Sequence, residues 1–243
     1  MANFVLVHGA YHAAWCWQRV VPVLEQAGHR VGAPDLPGHG DDKAPPADVT
    51  MSSYAGRVAE VVAGFEAPVI LVGHSMAGAV VAQAAELMPD RIAQVIFLTA
   101  YIPADGQSVA DMVRQDTNVR IPVTRLEHDG VPCLGIEPYA LGRHFYHDAN
   151  PEDFAWLKDK VQTQPIAPFG AALNLSAENF DRVKKAYILC RDDRAIGFSL
   201  QRQMAARCGC NPVVTMKSGH SPFITAPNEL CQLLLGLAGD SDN

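Results

Sequence analysis

The sequence lacks a cysteine framework, a leader-like opening and any apolar run of membrane-crossing length, and each absence removes a class of protein. Six cysteines (Cys16, Cys133, Cys190, Cys208, Cys210 and Cys231) are scattered through 243 residues without a recurring spacing. A chain this long does not need covalent staples to hold a core, so the thiols are expected to be reduced and structural. Cys208-Gly209-Cys210 has neither a zinc-type spacing nor a second pair, and no metal is expected there. Met1 to Val7 runs straight into a strand with no basic segment, no long apolar core and no small-residue cleavage site, which implies a cytoplasmic protein. No later apolar run is long enough to span a bilayer. Basic residues are also in deficit, 19 Lys and Arg against 26 Asp and Glu for a net charge of -7. That balance argues against nucleic acid or an anionic membrane as a partner.

What is present is core-forming material, 49% hydrophobic residues, enough for one large α/β domain. Its organising stretch is Val69-Ile70-Leu71-Val72-Gly73-His74-Ser75-Met76-Ala77-Gly78. An apolar, β-branched run reads as a strand buried on both faces, and the Gly-His-Ser-Met-Ala-Gly after it forces an abrupt turn. Ala79 to Met88 then has the composition of a buried helix, closed by Pro89. A strand, tight turn and helix place one serine at the apex, the geometry of a nucleophile elbow. A serine before a helix is also an ordinary N-cap, so the pattern alone supports either reading. The elbow pattern Gly-x-Ser-x-Gly has Ala77 at its last position here, with the glycine delayed to Gly78; a methyl group is small enough to be tolerated.

Around this stretch strands alternate with helices. Phe4 to Val7 is a strand ending in His8-Gly9-Ala10, Trp17 to Gln26 a helix, Arg30 to Pro34 a strand, and Thr50 caps a helix reaching Gly64. Ile92 to Leu98, Lys185 to Cys190 and Pro212 to Met216 are further strands; Leu200 to Arg207 and Asn228 to Leu237 are helices, with a frayed tail from Gly239. The expected fold is α/β, a mostly parallel, doubly wound sheet whose ligand site lies beyond the carboxyl ends of the strands. From Pro103 to Phe180 the alternation stops and prolines and aromatics accumulate. Residues 103–180 are therefore expected to be a helical lid inserted after the central strands, with 1–102 and 181–243 forming the core. His144 and His147 have a ligand-like spacing but no third partner, and read as part of an amphipathic helix.

Three reactive side chains fall on loops after strands, in the order Ser75, Asp193, His220. In that combination the histidine takes the serine proton and returns it to the leaving group, while the carboxylate fixes the imidazole tautomer. Asp192 adjoins Asp193, and only one of the two can face His220. Backbone N–H groups of Ala10 and Met76 are the expected oxyanion donors. His8 is expected to shape the loop backbone and His74 to pack at the elbow. His12, Tyr101 and Trp156 are candidates for the substrate pocket.

Nearly the whole chain resembles the α/β-hydrolase superfamily, in particular the branch of plant methyl esterases and hydroxynitrile lyases with their bacterial relatives. The resemblance is carried by Phe4-Val5-Leu6-Val7-His8-Gly9-Ala10-Tyr11-His12-Ala13-Ala14-Trp15-Cys16-Trp17, Ala27-Gly28-His29-Arg30-Val31, Gly73-His74-Ser75-Met76-Ala77-Gly78, Asp193-Arg194-Ala195-Ile196 and Gly219-His220-Ser221-Pro222. It implies the α/β-hydrolase fold with a lid, and it favours Asp193 over Asp192 as the acid. Lyase members carry a hydroxyl residue after the first strand and a lysine after the histidine, where this chain has Ala10 and Ser221. The expected activity is a cofactor-free carboxylesterase acting on small to medium hydrophobic esters through an acyl-enzyme. A cyanohydrin lyase, or a ligand receptor that keeps the hydrolase fold, are the alternatives. A homodimer is implied by the resemblance alone.

Overall fold

A computed structural model describes residues 1–239. The chain runs through β1 (Asn3–Val7), α1 (Val21–Gln26), β2 (Arg30–Gly32), α2 (Met51–Ala63), β3 (Val69–His74), α3 (Ala77–Leu87) and β4 (Ile92–Leu98). It then leaves the sheet through α4 (Val109–Gln115), β5 (Thr124–His128), β6 (Val131–Gly135), α5 (Pro138–His144), α6 (Pro151–Leu157), β7 (Gln164–Pro165) and α7 (Ala167–Gly170). It returns as β8 (Lys184–Cys190), α8 (Phe198–Arg207), β9 (Val213–Met216), α9 (Pro222–Thr225) and α10 (Pro227–Gly239). Of the tail expected to fray, Gly239 ends α10 and the rest lies outside the described residues.

β1, β2, β3, β4, β8 and β9 form one sheet in the order β2-β1-β3-β4-β8-β9, each neighbouring pair parallel. A parallel strand needs a crossover, and the crossover helices bury both faces; accordingly every residue of β3 is buried. The chain steps from β1 outward to β2 and then resumes on the other side of β1 with β3. The crevice between the carboxyl ends of β1 and β3 is thus the point where strand order reverses, the place where open α/β sheets bind ligands. His8-Gly9-Ala10 leaves one of these strands and Ser75 the other.

Local chemistry explains where elements begin and end. Thr50 Oγ1 accepts the Ser53 N–H (3.0 Å) and Ser53 Oγ accepts the Thr50 N–H (2.9 Å), a reciprocal cap that starts α2 where the hydroxyl residues predicted it. The helix expected over Trp17 to Gln26 is shorter: Ala14–Trp17 is a separate 3-10 turn and α1 begins only at Val21. Pro22 sits in the first turn of α1, where its missing N–H costs nothing, whereas deeper in a helix it would break the ladder.

The excursion between β4 and β8 contains helices, as expected, and also a three-stranded antiparallel sheet, β5-β6-β7, that was not foreseen. Asp129 and Gly130 connect β5 to β6 with φ of 51° and 75°. A two-residue hairpin turn that follows the twist of its strands needs positive φ at both centres, and Asp-Gly tolerates it. The amphipathic helix expected to carry both His144 and His147 ends at His144, whose Nδ1–H donates to the Arg194 carbonyl (2.8 Å); His147 lies beyond it.

The elbow's departure at Ala77 is resolved by its neighbours. A Cβ on Gly73 would lie 2.6 Å from Val81 Cγ2 and 2.8 Å from the Ala77 carbonyl oxygen, and one on Gly78 only 2.3 Å from the Tyr101 oxygen. Those two glycines are where α3 approaches β3 and the turn after β4. Ala77 itself is completely buried with its methyl accommodated.

Candidate active site

Ser75 occupies the turn between β3 and α3 with φ of 56°, a left-handed backbone that non-glycine residues rarely adopt. The surroundings enforce it: the Ser75 N–H donates to the Leu98 carbonyl (3.3 Å), and its own carbonyl accepts N–H groups from Gly78 (3.1 Å) and Tyr101 (3.0 Å). This second anchoring has a consequence for the next residue. In a trans peptide the C=O and the following N–H point oppositely, so tying down the Ser75 oxygen turns the Met76 N–H away from that anchor.

The loop after β1 repeats the device. The Gly9 carbonyl accepts a bond from His8 Nδ1–H (2.9 Å) and from the His12 N–H (3.4 Å), which turns the Ala10 N–H the other way. His8 can donate there because its Nε2 is occupied as the acceptor of the Leu36 N–H (3.0 Å). Gly9 has no room for a side chain, since a Cβ would sit 2.9 Å from both Ser75 Cβ and His74 Nδ1. Ala10 and Met76, the residues that follow these two anchored carbonyls, both line the cavity that holds Ser75.

His220 follows β9. Its Nδ1–H donates to Asp193 Oδ2 (2.8 Å), which leaves Nε2 to accept the Ser75 hydroxyl (3.1 Å). The His220 and Asp193 side chains are wholly shielded from solvent. Asp193 Oδ1 accepts the N–H groups of Ala195 (2.6 Å) and Ile196 (3.0 Å), and Oδ2 also takes a hydrogen bond from Thr99 Oγ1. Four donors around one carboxylate fix its position. Asp192, its neighbour, is exposed.

Thr99 and Gln201 are parts of this arrangement that sequence reasoning missed. Thr99, buried at the carboxyl end of β4, adds a donor to the acid. Gln201 spans the base of the Asp193 loop, accepting the Cys190 N–H and donating to the carbonyls of Cys190 and Ile196. A lone threonine after a strand and a glutamine in a helix carry no spacing signal. Only the complete burial of so polar a side chain identifies Gln201.

Burial keeps the neighbouring histidines neutral. Removal from water lowers His8 and His74 well below the ordinary imidazole range and brings His12 and His39 down to about 4. His74, with its ring 4.7 Å from that of His220, therefore brings no charge to oppose an imidazolium there; its Nε2–H holds the His220 carbonyl (2.9 Å). Folding thus excludes protons that the unfolded chain takes up below the ordinary value of 6.5. Folded-state values below unfolded ones mean stability that is complete above pH 6.5 and lost as pH falls toward 4. The melting temperature is expected to decline steadily across that window, each ring contributing at most about 1.4 kcal/mol per pH unit. A melting series by circular dichroism checks this, with a shallower slope expected for His39→Gln.

A cavity of about 350 Å³ opens over the serine, with Ala10, Ser75 and Met76 at one end and Tyr101, Phe145 and Phe169 in its walls. Phe145 also sets its edge against the His220 ring, centroids 5.0 Å apart. Of the three pocket candidates, Tyr101 lines the cavity, whereas His12 and Trp156 do not. His12 is drawn beneath the loop, donating from Nδ1 to the Ala10 carbonyl (2.7 Å) and accepting at Nε2 from the Tyr146 hydroxyl. Trp156 packs edge-on against Trp15, 5.5 Å away, with the Lys160 ammonium over its ring. Each is held by a better partner than a cavity offers. Among the described residues no cluster of three or more potential metal ligands occurs.

Comparison with known proteins identifies the family. Residues 4–233 match the model of the alpha/beta hydrolase family. Salicylic acid-binding protein 2 of Nicotiana tabacum is 31% identical over 252 residues, covering 97% of this chain and 96% of its own. Methylesterase 9 of Arabidopsis thaliana is 29% identical, with 98% of each chain covered. The crystal structure of polyneuridine aldehyde esterase superposes with a TM-score of 0.89 at 25% identity, over 98% of this chain and 99% of that one. A match over nearly the full length, with the same fold, means that this chain belongs to the α/β hydrolase family.

Proposed function

We propose that the protein hydrolyses carboxylic esters through an acyl-enzyme on Ser75, with His220 as general base and acid and Asp193 as its anionic partner. Family membership and the esterases among the relatives support ester hydrolysis in general. The observation that carries the specific reading is the continuous relay from the Ser75 hydroxyl through both His220 nitrogens to Asp193, at the buried end of an apolar cavity.

In this mechanism Ser75 Oγ attacks the ester carbonyl as its proton passes to His220 Nε2. The imidazolium is stabilised by Asp193, and the tetrahedral oxyanion is received by the N–H groups of Ala10 and Met76. Because both donors are aimed before substrate arrives, they need no reorganisation, and each is worth about 3 kcal/mol to the transition state. His220 then gives its proton to the leaving alcohol. A water, deprotonated by the same nitrogen, attacks the acyl group and releases the acid and the free serine. The apolar walls suit small to medium hydrophobic acyl or alcohol groups.

Cyanohydrin cleavage is the weaker reading, since a departing cyanide needs a nearby cation and the residue after His220 is the buried, uncharged Ser221. The test is stoichiometric labelling with a fluorophosphonate, followed by peptide mass spectrometry. One adduct per chain on Ser75, formed in parallel with loss of p-nitrophenyl butyrate hydrolysis, is expected. Complete labelling elsewhere, or hydrolysis that survives labelling of Ser75, would defeat the proposal.

A further inference from the structure

We infer that the preferred ester carries an anionic group remote from the scissile bond, a carboxylate in the simplest case, received by Arg120 and Arg125 at the mouth of the cavity. The inference rests on the ester-hydrolase reading above. Burial gives the cavity its direction. Ala10, Ser75 and Met76 at the inner end are 5%, 7% and 1% exposed, whereas Val113 and Val123 at the outer end are 40% and 42% exposed. At that outer end Arg114, Arg120 and Arg125 also line the cavity, all three exposed.

Charge in this wall is not balanced. Among the described residues lining the cavity, Asp116 is the one carboxylate, and its oxygens accept N–H groups from Asn118 (3.0 Å), Val119 (3.1 Å) and Gly197 (2.7 Å). It is buried and turned toward backbone. Arg114 is paired with Asp111, which is not part of the lining. Arg120 donates to the carbonyls of Asp116 and Val119, bonds that orient the guanidinium without cancelling its charge. Arg120 also lines an adjoining groove that contains Arg143 and Arg194, where the carboxylate of Asp193 is turned inward to His220.

A protein of net charge -7 thus gathers cations around one opening. For a wholly apolar substrate such a collar is a cost, because like charges repel and the guanidinium groups stay hydrated. For an ester whose far end is a carboxylate it supplies steering toward the opening and charge-assisted hydrogen bonds once there, while the apolar walls hold the linking carbons. Half-esters of dicarboxylic acids, and esters of alcohols that bear a carboxylate, have this pattern.

The test compares kcat/KM within two matched pairs: 4-nitrophenyl hydrogen adipate against its terminal carboxamide, and 4-acetoxyphenylacetate against 4-acetoxyphenylacetamide. The pairs place the carboxylate on the acyl and the alcohol side respectively. The anionic member of at least one pair is expected to lead by about tenfold. Raising NaCl to about 0.5 M should shrink that lead in the unaltered protein, an arm that does not depend on any variant folding. The double variant Arg120→Gln/Arg125→Gln should bring the ratio close to unity, whereas Arg202→Gln, exposed on α8 outside the cavity lining, should leave it as it was. Equal or inverted ratios in both pairs, with turnover that still requires Ser75, would overturn this inference alone. Absence of turnover of all of these esters would overturn the hydrolase reading together with it.

Discussion

Ser75→Ala is expected to lower kcat on p-nitrophenyl butyrate by at least about 10⁴-fold while the folded protein persists. The hydroxyl makes its side-chain hydrogen bond to His220 Nε2, and the strained backbone at this residue is held by main-chain bonds to Leu98, Gly78 and Tyr101 that alanine retains. Alanine at φ of 56° is no more strained than serine. The melting temperature should therefore stay within about 3 °C of the parent. The remaining activity, carried by the two aimed N–H groups and the cavity, should respond little to further loss of His220, because the members of such a relay act as a unit. Steady-state kinetics on Ser75→Ala, His220→Ala and the double variant check both parts. Turnover in Ser75→Ala near that of the parent would show that another group performs the attack.

Asp193→Asn should cost about 10³- to 10⁴-fold in kcat, for a reason readable in the four donors around the acid. With the new amide oxygen toward His220 and Thr99, the amide NH₂ is pressed against the N–H groups of Ala195 and Ile196. With the amide reversed, NH₂ faces His220 Nδ1, which must then accept; Nε2 keeps its hydrogen and cannot receive the serine proton. Neither orientation preserves the relay. Asp192→Asn, one residue away and exposed, should change kcat by less than about twofold. A similar loss in both variants would indicate a general disturbance of the loop after β8.

Much of the fold was legible because its signals are local and redundant. The unbroken apolar run of β3, the hydroxyl cap of α2 and the Gly-His-Ser turn each report on their own few residues, and together they predict a parallel sheet with Ser75 at its carboxyl edge. The relay itself was legible because each member ends up just beyond a strand, where a reactive side chain has no structural role to compete with. The excursion after β4 was harder. Its strands are short and half exposed, and its prolines concealed the Asp129-Gly130 pair, which is the strongest hairpin signal in that region. His12 and Trp156 lie outside the cavity lining for different reasons: a residue in the loop after β1, such as His12, can face either side of that loop, and Trp156, on α6, packs against Trp15. For His12 the decision falls to Tyr146, 134 residues away. Thr99 acts through one hydrogen bond to a segment far along the chain, and Gln201 through three that close the loop between Cys190 and its own helix; periodicity has nothing to say about either.

β4 and β8, the strands from which the chain departs and to which it returns, are hydrogen-bonded neighbours. Because the two run parallel, the excursion leaves beyond Leu98, which pairs with Ile188, and returns at Lys184, which pairs with Gln94; both ends are fixed by one strand pair, and once the sheet is crossed, added length costs only fractions of a kcal/mol. Cavity walls contributed by the excursion should thus be exchangeable between cousins, by cutting after β4 and before β8, without disturbing the scaffold that carries Ser75. A transplanted roof should bring its donor's tastes with it, and the chemistry beneath would continue unchanged.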